Sequence, residues 1–239
     1  MREQRTLILV DGSASSLFFW GMLLKRLEYR VVTLRSHEDA LRTMEAEVPA
    51  AILVGSTLSE MSGADLIRKM KGTPTLRDVP AIMLSDREDQ QAQDDCRRLG
   101  CAGWFSRDVE PDVLYRTIQS ATESVPRQFI RLATSLRVVV GDGTAAGGAV
   151  RTESATALSE GGLFVRTRYP QPRNALTPVR IDLSGTEVRA KAVVLYSSAQ
   201  GDGPTGEPGM GMKFVDISDR DRGMIRRFIK EQLVKDIAP

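Results

Sequence analysis

The sequence predicts two folds in series: a doubly wound α/β domain with a five-stranded parallel sheet, then a small antiparallel β-barrel with a C-terminal helix. Three observations carry this. Short, continuous apolar runs alternate with amphipathic helical patterns over residues 1–124. From residue 125 to 239, after Val125-Pro126, the grammar changes to strands separated by Gly/Pro-rich turns, with one helix at the end. The charge changes at the same place, from net −3 over residues 1–125 to net +5 over 126–239.

In the first half the expected strands are Thr6–Val10, Arg30–Leu34, Ala51–Val54, Ala81–Leu84 and Gly103–Ser106. Their apolar character is mostly unbroken, as in strands covered on both faces. Helical patterns separate them. Leu17, Trp20, Leu24 and Leu27 share one face, and Leu41 and Met44 another. The second helix opens with Ser36 and Asp39 three residues on, a variant of the capping box. Leu66, Ile67 and Met70 form a third face, and Glu88–Leu99 and Asp112–Ala121 complete five helices. Strict β-α alternation gives a doubly wound sheet, whose ligand site lies at the carboxyl ends of the strands, here around Asp11, Gly55 and Ser85.

In the second half the expected strands are Leu136–Val140, Leu163–Thr167, Val179–Leu183, Val188–Ser197 and Gly211–Val215. Turn-rich stretches at Gly141–Gly148, Tyr169–Asn174 and Gly201–Gly209 divide them, which predicts a small antiparallel barrel. Gly141-Asp142-Gly143 reads as part of a hairpin loop, since no helix or Lys-Ser/Thr follows it as a phosphate cradle requires. Ser218 with Asp221 opens a final helix carrying Ile225, Phe228, Ile229 and Leu233 on one side, expected to lie on the barrel.

Composition narrows the function classes. The 239 residues contain one histidine, His37, which excludes multi-histidine metal sites and makes histidine catalysis a poor expectation. Two cysteines, Cys96 and Cys101, are too few for a disulfide scaffold and are expected to pack near the fourth helix. No apolar run reaches the ~18 residues of a membrane span. The expected setting is the cytoplasm, without membrane insertion, and a net charge of +2 does not suggest a nucleic-acid binder.

Val10-Asp11-Gly12-Ser13, Ile82-Met83-Leu84-Ser85 and Trp104-Phe105-Ser106-Arg107 fall where a bacterial response-regulator receiver domain has its marker positions. Residues 5–124 resemble that CheY-like family in element order and spacing. The resemblance implies an acidic pair for Mg²⁺ after the first strand, a phosphoacceptor aspartate after the third, and a Ser/Thr and a Lys contacting the phosphoryl group. Asp11 keeps one acid and Gly12 replaces the other. The phosphoacceptor position is Gly55, Ser85 matches the Ser/Thr, and Arg107 stands in place of Lys with Asp108 after it. Glycine cannot accept a phosphoryl group. The expectation is therefore a pseudo-receiver that binds proteins or dimerises, in which Asp11 and Arg107 pair or persist as vestiges rather than form a ligand pocket.

Residues 126–233 resemble a PilZ domain, a small barrel that binds cyclic di-GMP. Arg127-Gln128-Phe129-Ile130-Arg131 matches the family's Arg-x-x-x-Arg. Ala157-Leu158-Ser159-Glu160-Gly161-Gly162 matches its Asp/Asn-x-Ser-x-x-Gly, except that Ala157 replaces the acid or amide. Gly209-Met210-Gly211-Met212-Lys213-Phe214 resembles the late strand. The resemblance implies cyclic di-GMP contacts from Arg127, Arg131, Ser159, Gly161 and Gly162. A guanidinium can bind guanine O6/N7 in bidentate fashion, stack on a flat ring or pair with phosphate oxygens. Four apart, the two arginines would share one side of a helical turn or wrap the ligand from an irregular linker. Ala157 cannot accept from guanine, and a missing buried partner lowers affinity by about 1–3 kcal/mol, roughly 5- to 150-fold. Thr156 or Glu153 could compensate if the loop shifts.

The expected whole is a non-enzymatic signalling adaptor without a catalytic site, cofactor or metal. Its expected partners are cyclic di-GMP and bacterial motility or signalling proteins, with a homodimer also compatible. The alternative is a ligand-independent scaffold or localisation protein whose PilZ domain has lost its nucleotide.

Overall fold

The computed structural model describes residues 4–85, 89–201 and 206–237. They divide into two compact units, one holding residues 4–128 and 234–237 and the other 129–233. Glu88, expected to begin the fourth helix, and part of the expected 201–209 turn lie outside the described residues.

The first unit alternates strand and helix: β1 (Thr6–Val10), α1 (Ala14–Arg26), β2 (Arg30–Leu34), α2 (His37–Ala46), β3 (Ala51–Gly55), α3 (Gly63–Gly72), β4 (Ala81–Ser85), α4 (Gln90–Leu99), β5 (Gly103–Ser106) and α5 (Pro111–Thr122). All sheet pairings are parallel, in the order β2-β1-β3-β4-β5. The central β3 and β4 are buried at every position, which is why they read as unbroken apolar runs, while β2 and β5 at the edges are only half-covered. Ile8, Val10, Ile52 and Val54 pack against Met44, Leu66, Ile67 and Met70 on one side of the sheet. Each helix start has a local cause. Ser13, Ser36, Ser62 and Asp89 accept hydrogen bonds from backbone N–H groups of the first turn, and α5 begins on Pro111. The Ser36 cap is the one the sequence pattern predicts.

Helix α1 ends with Glu28 in the left-handed region, at φ 69°. Glu28 N–H donates to the Lys25 carbonyl and Tyr29 N–H to the Leu24 carbonyl. That is a Schellman termination, in which glycine is the usual left-handed residue. The chain places a carboxylate there instead.

The second unit is a closed barrel of β6 (Leu132–Val140), β7 (Arg151–Ser159), β8 (Gly162–Arg166), β9 (Leu176–Leu183), β10 (Thr186–Ser198) and β11 (Gly209–Ile217), in the order β10-β11-β8-β7-β6-β9. Every neighbour pair is antiparallel. Val138, Val165, Ile181, Val188, Ala192 and Val194 point into the barrel and are fully buried. Helix α6 (Asp219–Val234) follows, with Ile225, Ile229 and Leu233 buried along one stripe. Ser218 accepts from Asp221 N–H, as the sequence suggested.

The barrel has six strands where the sequence predicted five. The strand not foreseen, β7, reads Arg-Thr-Glu-Ser-Ala-Thr-Ala-Leu-Ser and buries only Ala155 and Leu158. A register shift between Ala155 and Ala157 breaks its alternation, so neither apolar content nor period marks it. Strand β6 also starts four residues earlier than Leu136, with its own register shift between Ala133 and Leu136.

Candidate functional site

The carboxyl ends of the parallel strands form the first candidate site. Asp11 follows β1 and is 1 % exposed. Its Oδ1 accepts from Ser13 N–H at 2.8 Å and its Oδ2 from Ser16 Oγ at 3.0 Å. Arg107 follows β5, and its Nη1 reaches Asp11 Oδ2 at 2.5 Å and Ser16 Oγ at 2.5 Å. The pairing of Asp11 with Arg107 is the one expected from sequence. Gly55 lies between them in space: a Cβ there would stand 2.7 Å from Asp11 Oδ2 and 3.4 Å from Arg107 Nη2. Ser85, at the end of β4, is fully buried, and among the described residues its Oγ has no hydrogen-bond partner. A buried carboxylate with two neutral donors and one guanidinium is electrostatically satisfied by the chain itself.

The second candidate site lies on the barrel. Ser159 ends β7, Gly162 begins β8, and Glu160-Gly161 make the turn between them. Ser159 Oγ donates to the Gly162 carbonyl at 3.1 Å. Gly161 carries the ring of Phe129 over it, where a Cβ would come within 2.9 Å of the ring. The Phe129 ring therefore packs on the Ser159–Gly162 turn, two residues before Arg131. Arg131 itself is exposed, and among the described residues it has no ion pair or side-chain hydrogen bond. Gly162 is required for packing as well, because a Cβ there would stand 2.1 Å from the Met212 carbonyl of β11.

Helix α6 holds the same turn through two arginines. Arg222 Nη1 donates to the Glu160 carbonyl at 2.7 Å, and Arg226 pairs with the Glu160 carboxylate at 2.7 Å. The Phe214 N–H adds a bond to the Gly161 carbonyl at 2.9 Å. The sequence showed a mildly basic final helix but gave no reason to link it to the turn.

Arg127 has a different environment from Arg131. Its Nη1 lies 3.2 Å from Glu28 Oε2, and its N–H donates to Gln119 Oε1 at 3.0 Å. The Gln119 amide nitrogen in turn donates to the Tyr29 hydroxyl at 2.8 Å, a buried bond. Burial pushes the Tyr29 hydroxyl up to about 12. All four residues belong to the first unit. The segment from 126 to 131 has no helical turn, so the two arginines do not share a helix face. Sequence reasoning missed Glu28 and Gln119, since neither stands in a recognisable motif and both approach Arg127 only through the fold.

Ala157 pairs with Ala133 and Phe164 and is half-buried on the same face of β7 as Ser159. The two residues offered as substitutes for its missing acceptor are engaged elsewhere. Thr156 Oγ1 lies 3.5 Å from Glu207 Oε2, and Glu153 Oε1 accepts from Thr167 Oγ1 at 2.7 Å.

Comparison with known proteins agrees with both halves. The model of the response regulator receiver domain matches residues 7–119, and the PilZ domain model matches residues 126–231. Among characterised proteins, the chain is similar to the two-component response regulator ORR7 of Oryza sativa subsp. japonica, 26 % identical over 103 residues, 43 % of this chain and 49 % of that protein. It thus spans about half the length of that relative. It is also similar to the polar-differentiation response regulator DivK of Brucella ovis, 22 % identical over 48 % of this chain and 94 % of DivK. Similar solved structures include a response regulator from Chloroflexus aurantiacus J-10-fl, 22 % identical, covering 50 % of this chain and 98 % of that one with a TM-score of 0.48. The chemotaxis protein CheY4 of Vibrio cholerae is 19 % identical, covering 50 % and 99 % with a TM-score of 0.46. With a five-stranded parallel α/β unit leading into a closed antiparallel barrel, the chain is a response-regulator receiver domain followed by a PilZ domain.

Proposed function

We propose that this protein is a non-enzymatic adaptor in which the PilZ domain senses cyclic di-GMP and the receiver domain serves as a protein-binding module. The observation that carries the reading is the packing of the Phe129 ring on Gly161, which brings the arginine segment to the serine-glycine turn, with Arg131 two residues on, exposed and uncommitted among the described residues. Arg131 is free to stack on a guanine or pair with a phosphate, and Ser159 and the glycine turn offer a hydroxyl and close backbone approach. Arg127 would leave Glu28 to join the ligand, since one guanidinium cannot serve both. The affinity is reduced by Ala157, which supplies no acceptor.

In this reading the receiver domain takes no phosphoryl group. Gly55 has no side chain to accept it, and Mg²⁺ does not fit beside Asp11. The Arg107 guanidinium already sits on Asp11 Oδ2, and Gly12 and Gly55 add no carboxylate. The output by resemblance is bacterial motility or surface behaviour, in the cytoplasm.

A second reading, a ligand-independent scaffold, is favoured by Ala157 together with the engagement of Thr156 and Glu153. Calorimetric titration of cyclic di-GMP into the full chain separates the two. Saturable binding that Arg131→Ala abolishes and Ala157→Asp strengthens supports the sensor. No heat at millimolar ligand refutes it and leaves the scaffold.

A further inference from the structure

The end of α4 brings the only two cysteines of the chain together. Gly100 adopts φ 66°, its N–H donates to the Arg97 carbonyl at 3.4 Å, and the Cys101 N–H donates to the Cys96 carbonyl at 3.0 Å. This pair of bonds is a full Schellman motif. In that motif the residue three before the helix cap and the residue two after it usually make an apolar contact across the turn. Here both positions are cysteine, in Cys96-Arg97-Arg98-Leu99-Gly100-Cys101. The backbone is drawn tight by the hydrogen bond that spans them, so the two side chains leave neighbouring points of the same turn.

The two sulfurs differ in the way a redox couple requires. Cys96 is buried against the sheet, and its Sγ donates to the Gly103 carbonyl at 3.3 Å. Cys101 is partly buried, at the rim of the same core. The Cys101 thiol is held below its ordinary value by the Cys96 thiol beside it, and the Lys71 ammonium adds to the effect against the opposing pull of burial. The Cys96 thiol is pushed up by the same neighbour and by burial. Cys101 is thus the more accessible of the two and Cys96 the more protected, one turn of chain away.

We propose that Cys96 and Cys101 form a peroxide-responsive dithiol pair that closes to a disulfide across the end of α4. The Cys101 thiolate attacks an oxygen of hydrogen peroxide, breaking the O–O bond and leaving a sulfenic acid while the departing hydroxide takes a proton to become water. The Cys96 sulfur then attacks the Cys101 sulfur. The S–S bond forms, the S–O bond breaks, and the Cys96 proton leaves with the hydroxyl as a second water. The two thiols are oxidised by two electrons and the peroxide is reduced to two waters. Cys96 must release the Gly103 carbonyl to do so, which ties the last turn of α4 to the first residue of β5. A cellular dithiol reverses the step by thiol–disulfide exchange. The inference does not depend on nucleotide binding.

The test uses the reduced full chain exposed to equimolar hydrogen peroxide, then blocked with N-ethylmaleimide and digested with trypsin without reduction. Cleavage at Arg97 and Arg98 separates the cysteines, so the disulfide appears as a linked pair of peptides, one ending at Arg97 and the other Leu99–Arg107. The expected result is that this pair becomes the main cysteine-containing product and returns to two blocked thiols with dithiothreitol. In Cys96→Ala, dimedone is expected to trap the Cys101 sulfenic acid. In Cys101→Ala, oxidation of Cys96 is expected to slow by about tenfold or more. Peroxide that leaves both thiols blockable, or yields disulfides between chains or a Cys101 sulfinic acid with Cys96 untouched, would overturn the proposal.

Discussion

Replacing Arg107 with methionine removes the guanidinium from Asp11 and leaves most of the aliphatic volume. Asp11 is 1 % exposed and retains two neutral donors, Ser13 N–H and Ser16 Oγ. Removing one partner of a buried pair costs about 3–5 kcal/mol, because the remaining charge is stranded. The Arg107 side chain is 26 % exposed, so solvent reaches the gap, and with two donors left the loss is expected near 2–3 kcal/mol. For a unit of this size that lowers the melting temperature by about 6–12 °C. Asp11→Asn in the Arg107→Met background removes the stranded charge and should restore most of the loss, giving a coupling of about 2 kcal/mol in the double-mutant cycle. The assay follows from composition. Both tryptophans, Trp20 and Trp104, lie in the receiver unit and none in the barrel, so indole fluorescence during urea unfolding reports the receiver alone. A loss below about 0.5 kcal/mol, or strictly additive single mutants, would show that Asp11 does not depend on Arg107 and would refute the reasoning.

Glu28→Gln keeps the left-handed turn but releases Arg127, and cyclic di-GMP binding measured by calorimetry should strengthen by up to about fivefold; an unchanged affinity removes Arg127 from the ligand. Gly162→Ala drives a Cβ into the Met212 carbonyl and is expected to destabilise the barrel by about 3 kcal/mol or more, seen as faster amide exchange in β8 and β11, whereas Ser159→Ala should weaken nucleotide binding with exchange unchanged. Tyr29 is raised by burial to about 12 from an ordinary 10, so its contribution is complete below pH 10 and disappears as pH rises toward 12; about 3 kcal/mol of receiver stability should be lost across that window, and Tyr29→Phe should abolish the latest-titrating component of the 295 nm absorbance. Acetyl phosphate labelled on phosphorus should leave no label on the wild-type receiver domain, and a label there would contradict the reading of Gly55.

The α/β half was legible in the sequence because its strands are short, buried on both faces and separated by helices with clear caps. Ser36 and the stripe of Leu17, Trp20 and Leu24 appear in the structure as their spacing implies. The barrel was less legible where strands lie half-exposed and carry register shifts. β7 escaped because small and polar residues fill it and Thr156 interrupts its period. At the candidate sites, the Asp11–Arg107 pairing was legible because both charged residues follow strands and so stand at the same carboxyl edge of the parallel sheet. The partners of Arg127 did not, because Glu28 and Gln119 are separated from it by 99 and 8 residues and meet it only after α1 and α5 have packed. The turn clamp of Arg222 and Arg226 on Glu160 was hidden for the same reason.

Closure of the barrel bears on how a protein partner can be recruited. An open sheet edge presents unpaired N–H and C=O groups, and a partner can exploit it by laying down an extra strand, as many peptide-recognition modules do. Among the described residues every strand of the order β10-β11-β8-β7-β6-β9 has a neighbour on both sides, so the PilZ half offers no full-length edge; the β6–β9 pairing covers only Val138–Val140. A protein that bound this half would rely mainly on side chains of its outer face, its loops or α6. Its specificity is then open to revision one residue at a time, without the constraint of a shared hydrogen-bond ladder.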